Sequence, residues 1–283
     1  MGGQNERMST LSTFTPPTEL LIEYPQPGVI VLRLNRPQKL NAMTAELVQG
    51  LHQALDHIAV DPECRVVILT GSGRGFCAGL DLSGYGSAPH TEHLGTTQRS
   101  FAVQKHIASL ISHMRAIPQP IIAAVNGPAA GGGLALVLGS DIRIACDSAQ
   151  FNVAFIRVGF SGCDIGTSWL LPRIVGVARS QEMMLTGRVI DAQEAYRIGL
   201  VADLVQDAEL ENTAIATARQ IMLNTPFGVA LTKEAMWAAL EIPAMQSAID
   251  LENRQQILSS HTQDARESML AFLEKRAPNY TNE

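Results

Sequence analysis

The chain has no apolar run of the roughly 18 residues that a membrane-spanning helix needs, and its first residues lack the basic-then-apolar form of a secretory signal. Both absences predict a soluble, cytoplasmic protein. Charge is scarce as well: 17% of the 283 residues are charged and the formal net charge is −6. That leaves no basic face for nucleic acid or for an anionic membrane, so any phosphate has to be met by a few placed cations. The four cysteines, Cys64, Cys77, Cys146 and Cys163, lie in apolar or glycine-rich surroundings without CxxC spacing. They fit reduced thiols better than a disulfide framework. No GK[ST] follows a glycine cluster, which excludes a P-loop. No metal site is predicted either: His90 and His93 share a loop without an acidic partner at ligand spacing, and His106 and His113 fall on one helical face.

Glycine, by contrast, is placed with purpose. In the stretch from Asn126 to Asp141, NGPAAGGGLALVLGSD, three consecutive glycines stand where the apolar run Ile121 to Val125 gives way to a helix-like one. Glycine inside a helix costs about 1 kcal/mol against alanine, so Gly131, Gly132 and Gly133 do something that a side chain would prevent. One such job is tight packing of the helix on a strand. Another is to bring bare backbone to a ligand. N–H groups of a first helical turn lack intrahelical partners and lie at the positive end of the helix dipole, so the Gly132 N–H can hold an oxygen gaining negative charge. A second glycine-rich turn, GSGRGFCAGLD from Gly71 to Asp81, follows the apolar run Val66 to Thr70 and offers the Leu80 N–H as a partner.

At this length the chain suits one large domain or one domain with an appendage. Residues 1–17 read as a disordered leader rich in Ser, Thr, Gly and Pro. Leu20 to Tyr24 and Val29 to Leu34 form a predicted hairpin around Pro25-Gln26-Pro27-Gly28. Thr44 caps a predicted helix with Leu47, Leu51, Leu55 and Ile58 on one face. A second helix, from Thr97 to Arg115, carries the stripe Phe101, Ile107, Leu110, Ile111 and Met114. The segment from Gly84 to Gly95 reads as a polar, mobile loop. Strand, glycine turn and helix recur at Val66 and Ile121, which gives an α/β core over 18–205. Residues 206–283 read as an all-α region with more apolar side chains than a lone surface layer needs, so subunit packing is expected there.

Six spaced motifs, LNRPQKLNAM, FCAGLDL, NGPAAGGGLAL, AQF, LTGRVIDAQEAYRIGLV and AFLEKRAPNY, resemble the enoyl-CoA hydratase/isomerase (crotonase) family over about residues 18–281. The resemblance implies a spiral of ββα units with a C-terminal helical trimerisation region, and commonly a dimer of trimers. It implies an acyl-CoA thioester as substrate and no cofactor beyond the coenzyme A that the substrate carries. It places the thioester oxygen between the N–H groups of Leu80 and Gly132. It also sets Lys39 and Arg74 near the CoA phosphates or ribose, the backbone of Ala78 near the adenine, and Lys275 towards the nucleotide.

The chain departs from the family pattern where chemistry matters most. Hydration needs one group to activate water and one to protonate the neighbouring carbon, and the family's hydratases supply two glutamates. At the matching positions stand Ala135 and Phe155. One carboxylate remains in the neighbourhood: Asp164, in GFSGCDIGTSWLLP, resembles the aspartate that faces the substrate in the dienoyl-CoA isomerase branch. The same aspartate is suited to cap a helix from Ile165 to Val175, and the two roles are compatible. A single carboxylate beside an oxyanion hole suffices to take and return a proton, provided that apolar surroundings such as Phe155, Phe160 and Trp169 raise its pKa. Asp81 and Tyr85 are further polar candidates, with Asp81 better suited to bonding its own loop.

Three functional readings follow. The first is an enoyl-CoA hydratase-type enzyme, the second a double-bond isomerase using Asp164, the third an acyl-CoA carrier without turnover. A fourth, a thiol hydrolase built on Gly75-Phe76-Cys77-Ala78-Gly79, has the outline of a nucleophile elbow but lacks a strand ending at the cysteine and a histidine with a motif of its own.

Overall fold

The computed structural model describes residues 14–283. Its backbone is a spiral. Strands β1 (Leu20–Gln26) and β2 (Val29–Leu34) form the predicted antiparallel hairpin. From β2 onward the sheet is parallel and runs in chain order through β3 (Val66–Gly71), β4 (Ile121–Val125), β6 (Ile142–Cys146) and β9 (Asp203–Val205). Parallel neighbours need crossovers, and helices α1 (Ala45–Ala59), α2 (Thr96–Ala116) and α3 (Gly132–Gly139) supply them. Every residue of β3 and β4 is buried, as expected of strands covered on both faces.

A second, smaller ladder makes each turn of the spiral a ββα unit. Strands β5 (Pro128–Ala130), β7 (Gln150–Asn152) and β8 (Ile190–Asp191) pair with one another. Single bridges extend the same ladder from Ala129 to Cys77 and from Leu80 to Met43. Each glycine turn is therefore a rung between two neighbouring turns of the chain.

The helices form where side-chain chemistry starts and stops them. Thr44 Oγ1 accepts from the Leu47 N–H at 3.1 Å and opens α1, whose Leu47, Leu51, Leu55 and Ile58 are buried as their spacing predicts. Helix α2 buries Ile107, Leu110, Ile111 and Met114, whereas Phe101, expected on the same stripe, is 61% exposed. The leader expected over 1–17 lies mostly outside the described residues. Of its last four, Phe14 stacks on the His57 ring and the Pro17 carbonyl accepts from the Leu20 N–H.

Helices α4 (Thr167–Val175), α5 (Val177–Thr186) and α6 (Ala192–Arg197) close the core. The C-terminal region is helical throughout: α7 (Leu210–Met222), α8 (Pro226–Ala239), α9 (Met245–Ser260) and α10 (Gln263–Glu274). Lys233 fastens α8 to the sheet. Its Nζ lies 3.0 Å from Asp141 Oδ2 and donates to the carbonyls of Met114 and Gln119, with lysine and aspartate both almost fully buried. No helix among the described residues is long and apolar enough to cross a membrane.

Candidate active site

Two asparagine side chains shape the first glycine turn. Asn41 Nδ2 donates to the carbonyls of Ser72 (2.9 Å) and Gly75 (2.7 Å). Asn126 Nδ2 donates to those of Gly71 (2.8 Å) and Gly73 (3.0 Å), and its Oδ1 accepts from the Gly71 N–H. The carbonyls of the buried Gly71 and Gly75 would otherwise lack these partners, at a cost of about 1–3 kcal/mol each. The loop then runs edge to edge along β5. The Cys77 N–H donates to the Pro128 carbonyl and the Ala130 N–H to the Cys77 carbonyl, at 3.1 and 2.9 Å.

The orientation of the Leu80 amide follows from its bridge. The Met43 N–H donates to the Gly79 carbonyl and the Asp81 N–H to the Met43 carbonyl, the two bonds of a parallel bridge centred on Leu80. In such a bridge the central residue turns its own N–H away from its partner. The Leu80 N–H thus faces the side on which β5 and α3 begin. Gly79, at φ 95°, brings the chain into contact there: a Cβ on it would lie 3.4 Å from the Gly132 nitrogen and 2.9 Å from the Ala130 carbonyl oxygen. Gly132 opens α3, so its N–H lacks an intrahelical acceptor. Among the described residues no backbone acceptor outside the regular elements is bonded to either amide. Two such donors, if turned to one oxygen, can stabilise it as it becomes negative during a reaction.

Met43 and Ile165 wall this crevice. A Cβ on Gly132 would meet Met43 Cε at 2.5 Å and Ile165 Cδ1 at 3.5 Å, and both side chains are buried. Ile165 holds φ 45°, a left-handed conformation that a β-branched residue adopts at a cost of order 1–3 kcal/mol. The residue before it is Asp164.

Asp164 is not a helix cap. Helix α4 starts at Thr167 with Gly166 at the N-cap position and no side-chain cap, because the left-handed Ile165 and Gly166 delay the helix by two residues. The half-buried carboxylate instead accepts two hydrogen bonds on one oxygen. The Ile165 N–H donates to Oδ1 at 2.8 Å, and Gln104 Nε2 on α2 donates to the same atom at 2.5 Å. Burial pushes the Asp164 pKa up, and these two donors oppose the rise. Asp81 behaves oppositely. Ser83, through its hydroxyl and amide, and the Arg36 guanidinium hold its carboxyl at about 2. It bonds its own loop, as its sequence position predicts. Of the two carboxylates beside the turns, Asp164 alone has a raised affinity for protons.

The other candidate residues divide. Ala135 is fully buried inside α3, and Phe155 lies against the turn, its Cε1 3.3 Å from where a Cβ on Gly131 would sit. Phe160 departs from expectation: it is 62% exposed, because the chain turns outward after Gly159. Trp169 is taken up by two cations, with the Arg173 and Arg115 guanidinium groups 3.9 and 4.9 Å from its ring. Lys39 and Arg74 are exposed on adjoining loops, where Pro37 packs under Gly73. The Ala78 N–H is spent on the Leu40 carbonyl, which leaves its own carbonyl for a ligand. Lys275 ends α10, whose tail packs through Tyr280 on Leu223 and Arg65, at the start of β3. The glycine turn leaves the opposite end of that strand, so Lys275 is not brought to the loops of Lys39 and Arg74 of its own chain. Cys77 is fully buried and lies in the middle of the turn, away from any strand end, so it makes no nucleophile elbow. Gln104 escaped the sequence reading. Its signal was a polar side chain at helical spacing from Ile107 and Ile111, at the end of an otherwise apolar stripe.

Comparison with known proteins places this geometry. The family model for enoyl-CoA hydratase/isomerase matches residues 25–283. A protein named "probable enoyl-CoA hydratase EchA12" from Mycobacterium tuberculosis is 38% identical over 265 residues, 93% of this chain and 93% of the relative. The 1,2-epoxyphenylacetyl-CoA isomerase of Escherichia coli is 37% identical over 263 residues, 93% of this chain and 98% of the relative. A crystal structure of enoyl-CoA hydratase from Bacillus anthracis superimposes with a TM-score of 0.86 at 36% identity, covering 94% of this chain and 100% of the other.

Proposed function

Because the chain belongs to the enoyl-CoA hydratase/isomerase family, whose members act on CoA thioesters, we propose that it moves a double bond within an unsaturated acyl-CoA. The thioester carbonyl oxygen sits between the N–H groups of Leu80 and Gly132. Asp164 removes a proton from the carbon next to the thioester or from a vinylogous position further along. The electrons move onto the carbonyl oxygen, giving an enolate that the two amides hold, and one such donor is worth about 3 kcal/mol. Asp164, whose acquired proton exchanges with solvent, then delivers a proton to the other end of the allylic system. Charge and atoms balance with one carboxylate and no added water.

The observation that carries this reading is the carboxylate inventory. Positions 135 and 155 hold buried apolar residues, Asp81 is locked in an ion pair, and the proton-avid Asp164 adjoins the Ile165 side chain that lines the crevice. Lys39, Arg74 and the Ala78 carbonyl meet the nucleotide part of coenzyme A. Phe155, with Ala135 behind it, bounds the acyl chain. The second reading, hydration, is favoured by the hydratase names of relatives such as the mycobacterial protein.

One experiment separates them. Enoyl-CoA esters of varied double-bond position, incubated with the protein in heavy water, should gain carbon-bound deuterium and a shifted double bond without gaining the mass of water. The Asp164→Asn variant should bind the same esters and do neither. Addition of one D2O per molecule would establish the hydratase, and absence of any change across the panel would leave an acyl-CoA carrier.

We further infer self-association through the C-terminal helices, where Met245, Met269, Phe272 and Leu273 are all more than half exposed. In a trimer, Lys275 would approach the nucleotide of another subunit. Light scattering at working concentration tests the assembly. Free thiols at all four cysteines fit a reducing cytoplasm.

A further inference from the structure

The carboxylate of Asp164 is served unevenly. Both of its donors, the Ile165 N–H and Gln104 Nε2, converge on Oδ1, and among the described residues Oδ2 has no donor. An ionised carboxylate only accepts, so Gln104 must present its amide NH2. A proton that arrives on the carboxylate meets an Oδ1 already holding two hydrogens and an Oδ2 holding none. Helix α2 is held in place by Ile107, Leu110, Ile111 and Met114, buried one to three turns along from Gln104. The amide therefore reaches Asp164 from a fixed base, across the gap between α2 and the turn that precedes α4.

We propose that Gln104 is a positioning residue for the reaction: with the Ile165 amide it pins Asp164 Oδ1 and leaves Oδ2 as the atom that takes and returns the substrate proton. This rests on the reading of Asp164 as the proton carrier. Gln104 touches no reacting atom in this scheme and acts through Asp164. It has two effects. It fixes the rotation of the carboxyl group, so that Oδ2 keeps one direction through both proton transfers. It also favours the ionised form, which limits the rise that burial imposes on the Asp164 pKa.

The test uses the full-length protein and two readouts. The first is titration of the Asp164 carboxyl carbon by 13C NMR, which needs no substrate. The second is the pH profile of deuterium uptake into hex-3-enoyl-CoA. In Gln104→Met, which keeps volume and removes the donor, the Asp164 midpoint should move up by about one unit, the size of losing one charge-assisted bond. The acidic limb of kcat should follow it, kcat should fall roughly tenfold, and KM should stay within about twofold. If Gln104→Met does not fold, Gln104→Asn, which withdraws the donor by one methylene, carries the same expectation. A merely structural role would lower the melting temperature and leave the midpoint in place. An unmoved midpoint in a variant that folds, with Asp164→Asn inactive, overturns the role of Gln104 and spares that of Asp164. Deuterium uptake by Asp164→Asn at the wild-type rate overturns both.

Discussion

A methyl group on Gly133 would overlap the carbonyl oxygen of Cys77 and lie 2.7 Å from its carbonyl carbon. The two glycine turns touch through bare backbone, and nothing larger than hydrogen fits between these segments at Gly133. The same carbonyl accepts from the Ala130 N–H, so it cannot move aside without breaking a rung of the second ladder.

Gly133→Ala should therefore cost at least about 3 kcal/mol, the upper range for overpacking against atoms that cannot yield. Gly132→Ala should cost much less. Its methyl meets the end of Met43, a flexible side chain that can yield where backbone cannot. Chemical denaturation of the two variants checks the contrast. Equal loss in both would mean that the turns can separate.

Much of this arrangement is written locally. Thr44 and the leucine spacing after it specify α1, the apolar runs at Val66 and Ile121 specify buried parallel strands, and glycine clusters after them mark close backbone approach. The absence of carboxylates at 135 and 155 can also be read directly, and it narrows the chemistry. Other features belong to no single stretch. Gln104 and Asp164 are 60 residues apart, and nothing near either announces the other. The start of α4 was misplaced because a β-branched residue at 165 gives no hint of a left-handed backbone. The surroundings of Phe160 and Lys275 are not legible for a third reason. Their motifs are local, but where they point depends on how a later segment packs, for Lys275 on a tail that docks at the far end of β3.

Between α1 and α2 lies a histidine cluster. His52 Nδ1 and His113 Nδ1 are 2.9 Å apart, and His52 Nε2 faces the His106 carbonyl at 3.1 Å. Two imidazole nitrogens at that distance share one hydrogen, so the contact holds only while at least one ring is neutral. The other groups facing it are Ser109 on α2 and Asp56 on α1, whose carboxylate lies 3.3 Å from His113 Nε2. Burial, assisted by His52, pushes the His106 and His113 pKa values below 6.5, against which Asp56 pulls His113 only partly back. A folded pKa below the unfolded one means that the unfolded chain binds more protons between the two values. Stability then falls as pH drops through about 6.5 towards the folded pKa. Hydrogen exchange should show the amides of α1 and α2 opening more often at about pH 5.5 than at about pH 7.5, with the difference reduced in His52→Gln. Identical protection at both pH values would mean that the cluster does not couple the helices.

The fate of the cysteines bears on the chemistry. A thiol nucleophile needs exposure and a depressed pKa. Cys77, the one cysteine within a glycine turn, has neither: it is fully buried, and burial pushes its thiol up to about 12. Its amide and carbonyl are both committed to β5. Cys64 is pushed to about 12 as well, and Cys146 is raised, in each case by burial first. Cys163 is the exposed one among the four, and it precedes Asp164 directly. Iodoacetamide should therefore label the native protein at Cys163 alone, and the Cys163→Ser variant should take up no label. Because the proposed proton transfer uses no sulfur, that variant should move the double bond at the wild-type rate before and after treatment. Loss of turnover on treating Cys163→Ser would show that a buried thiol reacts and contributes, and the enolate mechanism would have to give way to an acyl-thioester one at Cys77.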